Sequence, residues 1–226
     1  MPDRNTSLYK FGSEILGYDL WQEESIPADN DDITRLRPFV GKAEEFGFHA
    51  TLADALFFVT DSEVNRVKAE LKTLCEDLTP FRLNEFRLSD NFREDNDLVL
   101  LCNDSSGITE VLHHELVSRV YNCAISSNYL SGRTHNKLPL SQRANLMIER
   151  YGAPYILKAF DLHFTLCSEL PNDDSERRKL FDHAAKLFNT HGLGDDSVAV
   201  SEICLMMKRS TDKHWRIDGY YPLNKE

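Results

Sequence analysis

One repetition constrains this chain more than any other feature. Residues 46–52 read Phe-Gly-Phe-His-Ala-Thr-Leu and residues 160–166 read Phe-Asp-Leu-His-Phe-Thr-Leu, so Phe-x-x-His-x-Thr-Leu returns 114 residues on. Side chains alternate across an extended strand, and residues i and i+2 share a face. His49 and Thr51 then point one way, while Phe48, Ala50 and Leu52 point to a core. His163 and Thr165 likewise share a face, opposite Leu162, Phe164 and Leu166. Each copy reads as a strand that carries a polar pair on an apolar anchor.

The elements around the two copies follow a shared order. After the first motif, residues 60–78 place Val64, Val67, Leu71, Leu74 and Leu78 on one helical face, with Asp61 or Ser62 as the cap. Residues 81–89 and 97–103 read as strands joined by a polar turn, and 107–125 as a second helix. After the second motif comes a helix with a cap near 173–175 and a stop at Gly192. Strands in 196–209 and 214–223 close the chain. Residues 8–21 carry apolar positions broken by two glycines and suggest a short helix or turns. Residues 23–33 read as an acidic, solvated loop. Motif, helix, strand, strand therefore occurs twice. Leu-Asn-Glu-Phe-Arg-Leu at 83–88 and Val-Ser-Glu-Ile-Cys-Leu at 200–205 fall at matching places. A connector at about 126–157, with a short helix after Pro139, divides the halves.

Bulk properties exclude some functions. The chain has 226 residues, 41% of them hydrophobic, which suffices for one sizeable domain or two small lobes. No apolar run is long enough to span a bilayer, and the polar opening Met-Pro-Asp-Arg-Asn-Thr-Ser is not a signal peptide, so a cytoplasmic protein without a membrane partner is expected. A net charge of −11 argues against a grip on long nucleic acid. The five cysteines are scattered without a Cys-x-x-Cys pair and read as reduced thiols rather than disulfides or a metal site.

Two imidazoles and two hydroxyls facing one cleft suit a phosphodiester. Cleaving a P–O bond needs a base for the attacking oxygen and an acid for the leaving one, and histidine serves both roles near neutral pH. Threonine hydroxyls can donate to the non-bridging oxygens, where charge sits. No metal or other cofactor is required.

The doubled motif resembles the two-histidine (2H) phosphoesterase superfamily, marked by two His-x-Thr/Ser-x motifs. "FGFHATL", "RYGAPYILKAFDLHFTL", "FGSEILGYDL" and "LPLSQRANLMIERYGAPY" look more specifically like an uncharacterised branch commonly encoded in bacterial phosphonate-utilisation operons. The resemblance runs over roughly residues 8–223. It implies an α+β, bilobal fold: two pseudo-symmetric sheet-plus-helix lobes around a central cleft, within a single two-lobed domain over 1–226. It also implies metal-independent hydrolysis of a small cyclic or 2′-linked phosphodiester. His49 and His163 would form the acid–base pair, in either assignment, and Thr51 and Thr165 would bind phosphate. The chain departs from the family after the first motif, where "ADALFF" brings acidic Asp54 and no lysine. It departs again at its start, where the resemblance leads one to expect an apolar strand before "LYKFGSEILG".

Other residues carry weaker signals. Tyr155 and Arg133 belong to the connector and could edge the cleft, Tyr155 by stacking on a base or sugar and Arg133 by pairing with phosphate. His113 and His114 are neighbours on a helix, do not share a face, and read as surface or amphipathic-helix residues. His135 lies in the connector. Two other functions stay open: processing of RNA ends or 2′–5′ oligonucleotides, and a non-catalytic module that binds nucleotide or phosphate.

Overall fold

The computed structural model describes residues 1–53, 56, 58, 60–90, 97–123, 141–151 and 154–224. Arg133, His135 and much of the connector lie outside the described residues. So do Asp54, Phe57, Phe92 and most of the polar turn after Asp90.

Helix α1 (Ser7–Leu16) starts where the Thr6 hydroxyl accepts from the Tyr9 N–H, and it stops at Gly17 in the left-handed region. The two glycines of 8–21 thus mark a helix, not a string of turns. A small ladder of β1 (Tyr18–Asp19) and β2 (Glu24–Ser25) follows. The acidic stretch is partly ordered: it enters α2 (Asp31–Leu36), capped by Asn30. A short α3 (Ala43–Phe46) leads into the first motif.

Helix α4 (Asp61–Glu76) is capped one residue before the expected cap. Thr60 and Glu63 form a reciprocal capping box, and Val67, Leu71, Leu74 and Cys75 are buried. Strands β3 (Phe81–Ser89) and β4 (Leu98–Asn103) form an antiparallel hairpin. Helix α5 (Ile108–Val120) follows it, and α6 (Gln142–Tyr151) is the short helix expected after Pro139. Then come β5 (His163–Cys167), α7 (Asp174–Thr190), β6 (Val198–Val200), β7 (Glu202–Met207) and β8 (Arg216–Pro222).

The fold is α+β with antiparallel pairing. The main sheet has the order β5-β4-β3-β6, so it takes two strands from each half of the chain, while β7 and β8 pair separately. One large core joins α1, α4, α5 and α7 to one face of the main sheet through Leu83, Phe86, Leu98, Leu100, Phe164 and Leu166. A satellite cluster of Val117, Tyr121 and Ile156 lies beside it. Ion pairs from Asp32 to His183 (2.8 Å) and Lys186 (2.6 Å) fasten α2 to α7. All five cysteines are free thiols, and Cys75, Cys123 and Cys167 are buried. Among the described residues, no helix is long and apolar enough to cross a membrane.

The first motif corrects an expectation. Residues 46–52 do not form a strand; they make a single isolated bridge, Ala50 to Phe164. Alternation supplies two faces, but a strand also needs several residues of partner backbone. Here the chain turns at Gly47 (φ 67°) and bends again at 52–53, which leaves one residue in register.

Candidate active site

The Ala50–Phe164 bridge is antiparallel and joins the two copies of the motif. Extending its register by one residue each way would set His49 across from Thr165 and Thr51 across from His163. Residues paired directly across an antiparallel ladder share a face. That register would turn the four polar residues to one face, and the charge of His163 is felt at His49. His49, His163 and Thr165 are half-buried and Thr51 is exposed. The opposite face is apolar: Phe48 and Phe164 stack at 5.0 Å and are both buried.

Local sequence presses that apolar face into place. Phe48 packs against α1 at Gly12, where an added Cβ would lie 2.0 Å from the Phe48 ring. Only a residue without a side chain lets the ring approach so closely. Gly47 has the second special role. Its φ of 67° turns the chain from α3 into the motif and aims its carbonyl back at His49.

Both imidazoles are held in the same way. His49 Nδ1–H donates to the Gly47 carbonyl at 2.9 Å, and His163 Nδ1–H donates to the Asp161 carbonyl at 2.9 Å. A carbonyl only accepts, so Nδ1 carries the proton in each ring. Proton exchange with a ligand would then pass through Nε2. In His49 that nitrogen lies 3.0 Å from the Thr51 hydroxyl, which donates to it when the ring is neutral.

Electrostatics point the same way for His49. Burial of the ring, with smaller contributions from the positive charges of the Met1 amine and His163, lowers its pKa to about 4 against the supporting Gly47 bond. Near neutral pH this imidazole is uncharged, with no proton on Nε2.

The chemistry of the first motif is also walled by aromatics that sequence reasoning missed. His49 stacks on Phe46 at 5.7 Å, and Phe46 stacks on Trp215 at 5.1 Å. The backbone N–H of Trp215 donates to the Glu45 carbonyl at 2.8 Å, and Lys208 pairs with the Glu45 carboxylate at 2.5 Å, so the β7–β8 hairpin clamps α3. Nothing in the spacing of 46 and 215 announces this contact. An apolar cavity of about 210 Å³ opens beside His49 and Thr51, with Phe46, Leu52, Phe58 and Trp215 in its wall. It borders the first motif and not His163 or Thr165.

The sheet register reveals a further cation. Leu101 pairs with His163 on one side and Arg87 on the other, which puts Arg87 on the face of the histidines. Ser89 stands in the same relation to Thr165 through Val99. A strand pattern of alternate residues hinted at this, but only the register shows that Arg87 aligns with His163. Tyr155 is half-buried in the turn between α6 and Leu157, and its neighbour Ile156 is buried in the satellite cluster. Arg133 lies outside the described residues. Of the pair expected as surface or amphipathic-helix residues, His114 is exposed while His113 is 1% exposed and stacks on Phe160. Among the described residues, no three His, Cys, Asp or Glu side chains gather into a metal-holding cluster.

A family of proteins of unknown function, DUF1045, matches the chain over residues 57–216. This span is well over half of the sequence. The chain belongs to DUF1045. The DUF1045 match contains the second motif with His163 and Thr165, and begins just after the first. No curated protein sequence matches the chain.

Proposed function

We propose that this DUF1045 protein is a metal-independent phosphodiesterase of the two-histidine type, with each half of a bilobal fold giving one His-x-Thr motif to a shared cleft. The observation that supports this most is the meeting of the two motifs at the Ala50–Phe164 bridge, with each imidazole held through Nδ1 by the carbonyl two residues before it. Two independently oriented imidazoles suit a reaction that needs a proton taken and a proton given.

His49, neutral with its pKa near 4, is the base, and His163 is the acid. The substrate phosphate displaces the Thr51 hydroxyl from His49 Nε2. Thr51 and Thr165 then donate to the non-bridging oxygens, where the charge grows. Water attacks phosphorus and gives its proton to His49 Nε2. The bond to the leaving oxygen breaks, and that oxygen takes the proton from His163 Nε2. The product is a phosphomonoester, and solvent resets both rings. Arg87, on the same face, adds positive charge in a protein whose net charge is −11.

The substrate class is a small cyclic phosphate of a sugar or nucleotide. The apolar cavity and the Phe46–Trp215 stack beside His49 favour a substrate with one flat or apolar part. The likeness to a branch encoded with phosphonate-utilisation genes favours a sugar cyclic phosphate. Free thiols suit a reducing compartment such as the cytoplasm.

The test is hydrolysis, under EDTA, of nucleoside 2′,3′-cyclic phosphates, a ribose 1,2-cyclic phosphate and a 2′–5′ dinucleotide. Wild type is compared with His49→Ala and His163→Ala. Turnover should survive chelation and fall at least about 10³-fold in each variant, the scale of losing an acid or base. Full activity in either variant would sink the assignment.

A further inference from the structure

Among the described residues the two motifs share one backbone bridge, beside the stack of Phe48 on Phe164, which is a slender way to fix two rings. A second connection runs through α5. The His113 Nδ1–H donates to the carbonyl of Leu52, the residue after Thr51, at 2.6 Å. The Leu157 N–H donates to His113 Nε2 at 2.8 Å, in the segment that leads into His163. The ring also stacks on Phe160 at 3.9 Å and 6°, three residues before His163.

We propose that His113 is a positioning residue that sets the spacing of the two histidine motifs. The inference rests on the catalytic reading above. One imidazole holds the chain just after His49-x-Thr51 and the chain just before His163-x-Thr165. Its mounting is rigid: Leu112, Leu116 and Val120 of the same helix are buried in the main core, and Val117 anchors the satellite cluster.

The partners dictate the state of the ring. An amide N–H only donates, so Nε2 must offer a lone pair; a carbonyl only accepts, so Nδ1 must carry the proton. Only the neutral Nδ1–H tautomer satisfies both. Burial also pushes the His113 pKa down, which keeps this state. No other side chain combines a flat stacking surface with a donor and an acceptor on opposite edges at this reach. Leu157 adds a second sign of constraint. It is not glycine, yet its φ is 55°, a left-handed conformation that side-chain-bearing residues disfavour. The Leu157 N–H bond to His113 helps hold the chain in that conformation.

The experiment compares His113→Phe, His113→Gln and His114→Ala with wild type. Phenylalanine keeps the stacking surface and loses both hydrogen bonds. Glutamine can restore one donor or acceptor. His114 is the exposed neighbour and serves as the control. For His113→Phe we expect kcat to fall about 10- to 100-fold, the cost of misplacing catalytic groups by about an ångström, with KM within about threefold. Glutamine should recover part of the loss, and His114→Ala should match wild type. Amide exchange supplies a readout that needs no turnover. In His113→Phe, residues 49–53 and 157–165 should exchange faster together, while β3 keeps its protection. Unchanged kcat, or a lower Tm with both motif segments still protected, would overturn the proposal. A wild type that hydrolyses nothing would defeat the catalytic reading, and the exchange arm would still decide whether His113 joins the motifs.

Discussion

The two copies of Phe-x-x-His-x-Thr-Leu are built from the same letters and held by different means. The second copy is a strand: β5 pairs with β4 at four positions, from Leu98–Cys167 to Leu101–His163. The first has one backbone bridge and is held otherwise by Gly47, by the seat of Phe48 at Gly12, and by the bond from His113 to Leu52. Even the leading phenylalanines differ. Phe46 stacks between His49 and Trp215, whereas Phe160 stacks on His113. A short sequence can fix which residues share a face and how a ring meets its own backbone. Whether the segment becomes a strand depends on what backbone lies beside it.

This contrast can be broken most strongly at Gly12. A Cβ there meets the Phe48 ring at 2.0 Å, so Gly12→Ala must displace the anchor of the first motif. We expect a loss of about 1–3 kcal/mol in stability, the scale of overpacking a core. Amide exchange should rise around 48–52 while β5, held by β4, stays protected. Equal protection in both motifs would show that the first copy does not depend on that seat.

A smaller effect separates the two histidines by pH. The His49 pKa is lowered from 6.5 to about 4, so the unfolded chain binds more protons between these values. The stability this group contributes is full above about pH 6.5 and is lost as pH falls toward 4. The acid limb of kcat/KM should likewise lie near pH 4, with a flat rate down to about pH 5. An acid limb near 6.5 would mean that His49 is not the base.

The smallest expected effect lies on the side of the second motif. Arg87 is two strands from His163, about 10 Å at ordinary strand spacing, and an arginine reaches across much of that. Arg87→Ala should raise KM for an anionic substrate about tenfold, as for one charge-assisted hydrogen bond, with kcat nearly unchanged. Added salt should narrow the difference. An unchanged KM would remove Arg87 from the site.

Much of the fold was legible because it rests on local pattern. The apolar face of α4, the alternation in β3 and the glycine stop of α7 are written in neighbouring residues. Gly12 misled because a glycine inside a helix looks like a break, when it is the seat for a phenylalanine 36 residues later. The polar pairs of the two motifs were readable from period two alone. The strand expected at 46–52 was not formed, since its one partner comes from residue 164. His113 escaped for the same reason: its meaning lies in the backbone of residues 52 and 157, and backbone atoms leave no mark on composition.

The place of β5 in the sheet also bears on how the chain is made. The free edge of β4 is complete once residue 103 has been synthesised, but the strand that covers it ends at Cys167. During translation that edge waits for more than sixty further residues, and β3 waits longer still for β6 at Val198–Val200. Pairing across such separations is slow because the intervening loop must close first. The nascent chain therefore carries a hydrophobic hairpin with both edges open for more than sixty residues of its synthesis, until the second histidine motif covers the first of them.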